Sequence, residues 1–231
     1  MSNSPNVRVS RWAYMAPLML GSILAISAAS LFVLGWFGGK AKGERVLIQV
    51  SSECSELWGE RITARGNSVG LGDPEMSIDG SVVNYVATLP GNDDDRQTMP
   101  ALLTQTGLFE VFKANEHGTG TEGEALASSE DVVDVALSLD ARGHPYVDLE
   151  LQPHAAVRMQ GEVKQMLYFL DGQEVDRWLG LVPFEGTTIR LQPRSVSKRE
   201  NMRHAVDWNI VLRDGPAPCP VNSMEVKSLA P

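Results

Sequence analysis

The sequence is poor in the residues from which metal and redox sites are built. It has two cysteines and four histidines in 231 residues. The histidines show no H-x-x-x-H spacing, and neither cysteine has a second one nearby, so the usual spacing of zinc ligands is absent. The cysteines, Cys54 and Cys219, allow either one disulfide in an oxidising compartment or two buried reduced thiols. We expect no metal and no cofactor.

Basic residues are scarce beyond the first 45 positions. Five of the 20 Lys and Arg residues, but only one of the 29 Asp and Glu residues, precede residue 46. The remainder therefore holds 15 basic and 28 acidic side chains, a net charge of −13. A field of this sign repels phosphate backbones, so we expect no binding of nucleic acid.

Charged side chains are absent from one long stretch near the N-terminus. No Asp, Glu, Lys or Arg occurs between Trp12 and Gly39, and aromatic residues stand at both ends of this stretch. It is long enough to cross roughly 30 Å of hydrocarbon as a helix. Aromatic residues at the two ends are typical of the membrane interface. The pattern predicts a transmembrane helix over residues 12–39.

The alternative for this stretch is a cleaved signal peptide. Arg8 and Arg11 form a basic start, and Ser27-Ala28-Ala29 is a small-residue segment of the kind that signal peptidases cut. Hydrophobicity continues well past that segment, which favours a retained anchor. We therefore predict a cytoplasmic tail over 1–11, a linker over 40–44 and a C-terminal domain on the other side of the membrane.

The rest of the chain alternates strand and helix patterns. An N-cap at Ser52 is predicted to open a helix that ends at Gly70 and directs a stripe containing Cys54, Arg61 and Arg65 at a sheet. Other helices are predicted over 93–105, 153–163 and 195–212, and strands over 45–50, 76–79, 81–89, 108–113, 132–139, 146–151, 165–170, 174–179, 187–191 and 221–226.

The order of these elements indicates the fold class. The first six alternate as strand, helix, strand, strand, helix, strand, which is the split βαβ arrangement of ferredoxin-like domains. Residues 115–130 are rich in glycine and polar side chains, so we predict a flexible loop there. The class is α+β.

Two segments match catalytic or nucleotide-binding sequence motifs but lack the secondary structure that these motifs require. Gly66, Ser68 and Gly70 fit the G-x-S-x-G pattern of hydrolases, but that motif needs a strand before the serine and a helix after it. Here a helix precedes Ser68 and a loop follows. Residues 118–123 fit G-x-G-x-x-G without a helix that could direct its N-terminus at a pyrophosphate. We expect that the protein is not an enzyme.

Four segments resemble the first extracytoplasmic domain of SecD, a membrane protein family that assists export through the bacterial Sec translocon. The family's R-x-N-x-x-G-V-x-E-P stretch is similar to Arg65, Asn67, Gly70, Leu71, Asp73 and Pro74. Its L-P-G strand end and its G-x-L-E-F strand are similar to Leu89-Pro90-Gly91 and to the segment that begins at Gly107. Its L-R-x-G-x-x-P-x-P-V segment is similar to the stretch from Leu212 to Val221 that contains Arg213, Gly215, Pro218 and Pro220.

The resemblance implies a fold built from both ends of the chain. A ferredoxin-like base is expected over 45–114 and 195–227, with a head over 115–194 that begins with the Gly-rich loop. The first and last strands are then neighbours, which brings Cys54 within reach of Cys219 and implies a disulfide. The matching residues are expected to be structural, with turns and breaks at Gly70, Pro90, Gly91, Gly215 and Pro218.

The resemblance also implies a function. SecD continues into five further membrane helices, so this chain is expected to be a single-span form that acts by binding. The resemblance places it in a bacterial inner membrane, with its C-terminal domain in the periplasm. The expected partners are an unfolded polypeptide or the subunits of a multi-span complex, such as the Sec translocon or SecD- and SecF-like proteins. The alternative is a structural scaffold subunit of an unrelated envelope complex.

Overall fold

A computed structural model describes residues 44–89, 93–160, 165–180, 184–217 and 219–229, and of 93–97 only the backbone. The predicted membrane helix at 12–39 lies outside these ranges, as do Pro90, Gly91 and Pro218. Within the described ranges, no helix is both long and apolar enough to span a membrane. The chain divides into the units Met1–Lys42 and Gly43–Pro231, and every element below belongs to the second.

The described elements form an α+β fold, as the sequence predicts. The helices are α1 (Ser55–Ser68), α2 (Asp93–Thr104), α3 (Pro153–Met159) and α4 (Lys198–Arg213). The strands are β1 (Glu44–Ser51), β2 (Gly72–Asp79), β3 (Val82–Leu89), β4 (Phe109–Ala114), β5 (Thr121–Ser128), β6 (Val132–Leu139), β7 (Pro145–Leu151), β8 (Met166–Leu170), β9 (Gln173–Trp178), β10 (Thr188–Leu191) and β11 (Ser223–Ser228).

The first sheet joins the beginning and the end of the described chain. Its order is β11-β1-β3-β2, and all its pairs are antiparallel. Alternation along β1 and β3 buries one face, which includes Ile48, Val50 and Tyr85. Helix α1 contacts β2 and β3 and contributes Trp58 and Ile62, both fully buried, to the core.

The strand after α2 does not complete this sheet. β4 lies in a second antiparallel sheet of order β5-β4-β8-β9, and a third sheet has the order β10-β7-β6. The element order of residues 45–113 is therefore as predicted. The strand that completes the first sheet is β11, which pairs with β1 and comes from the far end of the chain. Helix α4 contacts β6 and β7 and leads back to β11.

The prediction of a flexible loop over 115–130 is wrong. β5 occupies half of it and pairs antiparallel with β4, so that Glu122 lies opposite Lys113. Gly118 and Gly123 adopt positive φ values of 68° and 76°. They provide a tight turn and an irregular point in the strand, so here the glycines shape a hairpin. Composition alone does not distinguish these uses.

The predicted N-cap of α1 is also wrong. The helix begins at Ser55, its N-cap is Cys54, and no side chain caps it. Ser52 is fully buried, and its hydroxyl donates to the carbonyl oxygen of Pro220 at 3.1 Å. It also accepts from the amide of Cys54 at 3.2 Å. The serine therefore joins β1 to the segment before β11.

Candidate functional site

One side of α1 binds the segment that connects α4 to β11. Cys54, Trp58, Arg61 and Arg65 have helical spacings of four, three and four, so they lie along one side of the helix. Each contacts a residue between Asp214 and Pro220. The sequence predicts that this stripe faces a sheet, which holds for Trp58 but not for Arg61. We call these four residues, together with 214–217, 219 and 220, the clasp.

Arg65 is the buried centre of the clasp. Its side chain has no exposed surface, and Nε donates to Asp214 Oδ2 at 2.7 Å. Nη1 donates to three carbonyl oxygens at the C-terminal end of α2, those of Leu102, Leu103 and Gln105, at 3.1, 3.2 and 2.6 Å. These carbonyls lack partners within the helix and carry partial negative charge, so a buried cation suits them.

The surroundings of Arg65 shift its pKa. Burial lowers the pKa because it penalises the charged form, and the hydrogen bond and charge of Asp214 oppose this shift. The guanidinium keeps its charge, because arginine is not deprotonated in proteins. Arg65 is therefore a permanent buried charge that depends on Asp214 and on the end of α2.

Arg61 makes the same kind of contact with the end of α4. Its guanidinium donates to the carbonyl oxygens of Gly215 at 2.8 Å, Pro216 at 2.9 Å and Asp214 at 3.2 Å. It also lies 5.7 Å from the ring centroid of Trp58, a cation–π distance. Burial and the neighbouring charge of Arg65 lower the pKa of Arg61. Helix α1 thus binds the C-terminal ends of both α2 and α4 through two arginines one turn apart.

The disulfide closes the other end of the clasp. Cys54 and Cys219 are joined, with Cα atoms 6.2 Å apart and a sequence separation of 165. Trp58 Nε1 donates to the carbonyl oxygen of Cys219 at 3.1 Å. The structure therefore agrees with the pairing that the family resemblance implies.

Gly107 permits a close approach between the segment that follows α2 and the end of α4. Its φ is 76°, and a Cβ at this position would lie 2.7 Å from the carbonyl oxygen of Gly215 and 3.1 Å from that of Val211. Next to it, the amide of Ala217 donates to the carbonyl oxygen of Thr106 at 2.6 Å. A side chain at 107 would separate these segments.

Several buried polar atoms around Arg65 lack a hydrogen-bond partner among the described residues. They are Arg65 Nη2, Tyr85 Oη, Gln105 Oε1 and Asp171 Oδ2. The other oxygen of Asp171 accepts from the amide of Leu108 at 2.8 Å. Buried polar groups without a partner lower stability. The four atoms lie where α1, α2 and the turn between β8 and β9 meet.

The residues of the family resemblance fall into three groups. Arg65 and Gly215 belong to the clasp, and Gly107 lies against Gly215. Leu89 and Leu212 are buried in the core. Asn67, Pro74, Arg213 and Pro220 are exposed, and Gly70 follows α1 with a φ of 70°. Pro90, Gly91 and Pro218 are not described. Sequence reasoning assigned no contact to Trp58, Gln105 or Asp214, although the spacing of Trp58, Arg61 and Arg65 is visible.

The hydrolase-like serine has a structural contact. Ser68 is in the last turn of α1, and its hydroxyl donates to the carbonyl oxygen of Ala64 at 2.9 Å. The described residues contain no group of three or more His, Cys, Asp or Glu side chains that could hold a metal ion. The geometry of the clasp supports the joining of chain segments. The two edge strands of the first sheet, β2 and β11, consist of exposed residues and are candidate surfaces for a partner.

Comparisons with known proteins concern the fold. No protein family model matches the chain. No curated protein matches it either. The fold is similar to that of SecDF. A crystal structure of SecDF in a super-membrane-facing form matches with a TM-score of 0.58 and 20% identity, over 94% of this chain and 35% of that one.

A second SecDF structure gives a similar result. It belongs to a study of SecDF as a membrane component that enhances protein export, and it matches with a TM-score of 0.56 and 20% identity. The match covers 81% of this chain and 99% of that one. The present chain therefore spans about a third of the longer SecDF chain and nearly all of the shorter one.

Proposed function

We propose that this protein is a membrane-anchored, SecD-like accessory of protein export whose domain acts by binding on the extracytoplasmic side. The observation that carries the proposal is the likeness of its fold to SecDF, described in one case as enhancing protein export. Three of the four sequence segments similar to SecD support it, because they supply Arg65, Gly107 and Asp214. Arg65 and Asp214 are paired in the clasp, and Gly107 lies against Gly215 of the clasp.

The finer architecture is part of the same proposal. We infer that the first sheet is a ferredoxin-like base, since its order β11-β1-β3-β2 and its helix α1 fit a split βαβ arrangement. Residues 115–194 would form the head, which holds β5 to β10. The helix over 12–39 would be the single membrane span, and the disulfide fits the oxidising periplasm.

The mode of action that we propose is binding without catalysis. The partners would be an unfolded polypeptide or subunits of a multi-span membrane complex such as the Sec translocon or SecD- and SecF-like proteins. The clasp supports this mode, because Arg65 and Arg61 donate to carbonyl oxygens and to Asp214 and so join segments of the domain to one another.

Affinity purification of the full chain from its native membrane tests the proposal. The expected result is recovery of translocon or multi-span SecD- and SecF-like subunits in proportion to the bait. The matched control is a variant with Arg65→Ala, in which the clasp is broken and recovery should fall together with thermal stability. Recovery of none of these subunits would contradict the proposal.

A structural scaffold subunit of an unrelated envelope complex is the second candidate. The exposed edge strand β11 favours it, because the unpaired outer edge of a sheet presents backbone groups that can pair with a strand of another subunit. The same purification distinguishes the two: a stoichiometric complex of envelope proteins without export components would support the scaffold.

A further inference from the structure

The first sheet has two edges, and both are exposed. Among the described residues β11 pairs only with β1, and β2 pairs only with β3. All six residues of β11 and all eight of β2 are exposed. An unpaired edge presents backbone donors and acceptors that can pair with a further strand. The two edges differ in what their side chains permit.

The register of β11 assigns each of its side chains to a face. Met224 lies opposite Val50 and Val226 opposite Ile48, so both are on the face that α1 covers. Glu225 lies opposite Gln49 and Lys227 opposite Leu47, so the two charges are on the other face. There, Lys227 Nζ is 3.0 Å from Glu225 Oε2.

We propose that β11 is a dimerisation edge, to which a second copy of this chain adds its own β11 in antiparallel orientation about a two-fold axis at Val226. In this register Glu225 of each copy lies opposite Lys227 of the other. Two cross-strand ion pairs form on one face. On the other face, Val226 meets its own copy and Met224 meets Ser228. The two four-stranded sheets become one sheet of eight strands.

Charge selects this register over its neighbours. A shift that centres the pairing on Glu225 places the two copies of Glu225 directly opposite each other. A shift in the other direction, centred on Lys227, does the same with the two lysines. Like charges in directly opposed positions destabilise a strand pair. A register in which the axis lies between two residues would place side chains of one sheet face opposite side chains of the other face. The axis at Val226 is the arrangement that avoids all three conflicts.

Exposure supports a partner on this edge. Met224 and Val226 are 43% and 41% exposed although they are on the same face as the buried core. A second copy would cover both, and a two-fold interface uses the same patch twice, so it forms a closed dimer. Since the sequence complements itself, a second copy of the chain fits this edge without a partner of different chemistry.

The opposite edge is protected against the same pairing. β2 contains Pro74, and its pairing with β3 is irregular between Gly72 and Glu75. Self-pairing about Ser77 would place Glu75 opposite Asp79, two carboxylates. Edge strands in soluble proteins carry such features to prevent association. β2 therefore provides an internal control for a test of β11.

Disulfide trapping of the full chain in detergent tests the proposal. A Val226→Cys variant places one thiol at the two-fold axis, where it meets its own copy, and the native cysteines are already joined to each other. We expect a covalent dimer on a non-reducing gel under mild oxidation. Ile78→Cys, at a matched position of β2 with 39% exposure, should give little dimer.

Charge reversal then tests the register. In the Val226→Cys background, Glu225→Lys should slow dimer trapping about tenfold, because two attractive pairs become repulsive. The double variant Glu225→Lys with Lys227→Glu should restore the rate. The proposal is overturned if Val226→Cys forms no more dimer than Ile78→Cys. It is also overturned if Glu225→Lys has no effect, or if the double change fails to restore trapping while the variants keep wild-type thermal stability.

Discussion

Arg65 and Asp214 are 149 residues apart in the sequence and are joined by an ion pair of 2.7 Å between Nε and Oδ2. The arginine is fully buried and also binds the end of α2. One side chain therefore connects three segments: helix α1, the C-terminal end of α2, and the segment that links α4 to β11. The predictions below follow from this arrangement and from its neighbours.

Removal of the Arg65 side chain should destabilise the domain strongly. Arg65→Ala leaves the carbonyl oxygens of Leu102 and Gln105 and the carboxylate of Asp214 without their cation. We expect a loss of about 3–5 kcal/mol in the free energy of unfolding, the usual cost of breaking a buried ion pair. Urea denaturation measures it. Arg65→Lys should lose less but still a measurable amount, because an ammonium cannot reproduce the fork of a guanidinium.

The control for this prediction is Arg213→Ala. Arg213 is exposed in the last turn of α4, next to Asp214 in sequence. Its removal should change the free energy of unfolding by about 0.5 kcal/mol or less, as for most surface substitutions. Equal losses for Arg65→Ala and Arg213→Ala would contradict the role of Arg65.

A side chain at Gly66 should collide with Tyr85. A Cβ there would lie 2.0 Å from Tyr85 Oη, so Gly66→Ala requires a shift of the helix or of the ring. We expect a loss of about 1–3 kcal/mol in unfolding free energy, typical of overpacking. The matched control is Gly72→Ala, where the nearest atom is 3.6 Å away, and it should have a small effect.

Tyr85 offers a partial rescue of that variant. Its hydroxyl is buried without a hydrogen-bond partner in the described residues, and burial raises its pKa. Tyr85→Phe alone should therefore be close to neutral or slightly stabilising, because no bond is lost. Combined with Gly66→Ala it should recover part of the lost stability, since the Cζ atom at 2.9 Å remains. If the two changes simply add, Tyr85 Oη is not the obstacle.

Loss of the disulfide should lower stability without changing the fold. Cys54→Ala with Cys219→Ala should cost about 2–5 kcal/mol in unfolding free energy. The clasp keeps Arg61 and Arg65, so far-ultraviolet circular dichroism should stay the same. A thiol assay on unreduced, denatured wild-type protein should find no free thiol. Two free thiols per chain in that assay would contradict the bridge.

Stability should fall at acid pH. Thr187 and Thr188 donate to Glu150 and lower its pKa, and backbone hydrogen bonds from the 140–144 turn lower that of Asp140. A carboxylate whose pKa is lower in the folded state than in the unfolded state stabilises the fold at any pH above its unfolded-state pKa. This stabilisation is lost as the pH falls through the folded-state pKa. Unfolding free energy should therefore be level near neutrality and decline below about pH 4. Glu150→Gln should make the decline shallower, and an unchanged slope would contradict the assignment.

Local patterns in the sequence predict the elements well and their partners poorly. The turns at Asp79-Gly80 and Asp171-Gly172 are visible because short polar and glycine residues separate two apolar runs, and the strands on either side of each turn pair as expected. One of the two partners of β1, strand β11, is 172 or more residues away, so no local pattern reveals it. The resemblance to SecD supplied that contact.

The failures have physical reasons. Ser52 fits an N-cap by residue type, but its hydroxyl is used for a contact with Pro220 at the other end of the chain. Glycines at 118 and 123 indicate flexibility by composition, yet a hairpin needs the same positive φ values. The clasp itself was predicted only at the disulfide, because the role of Arg61 and Arg65 depends on where α2 and α4 end in space.

The kinetics of protein export test the central claim most directly. Pulse–chase labelling in cells depleted of this protein follows the conversion of a Sec-dependent secretory precursor to its mature form. We predict slower conversion, restored by the wild-type chain and not by Arg65→Ala, which breaks the clasp. Unchanged precursor processing after complete depletion, in cells that lack another protein of this fold, would contradict a role in export.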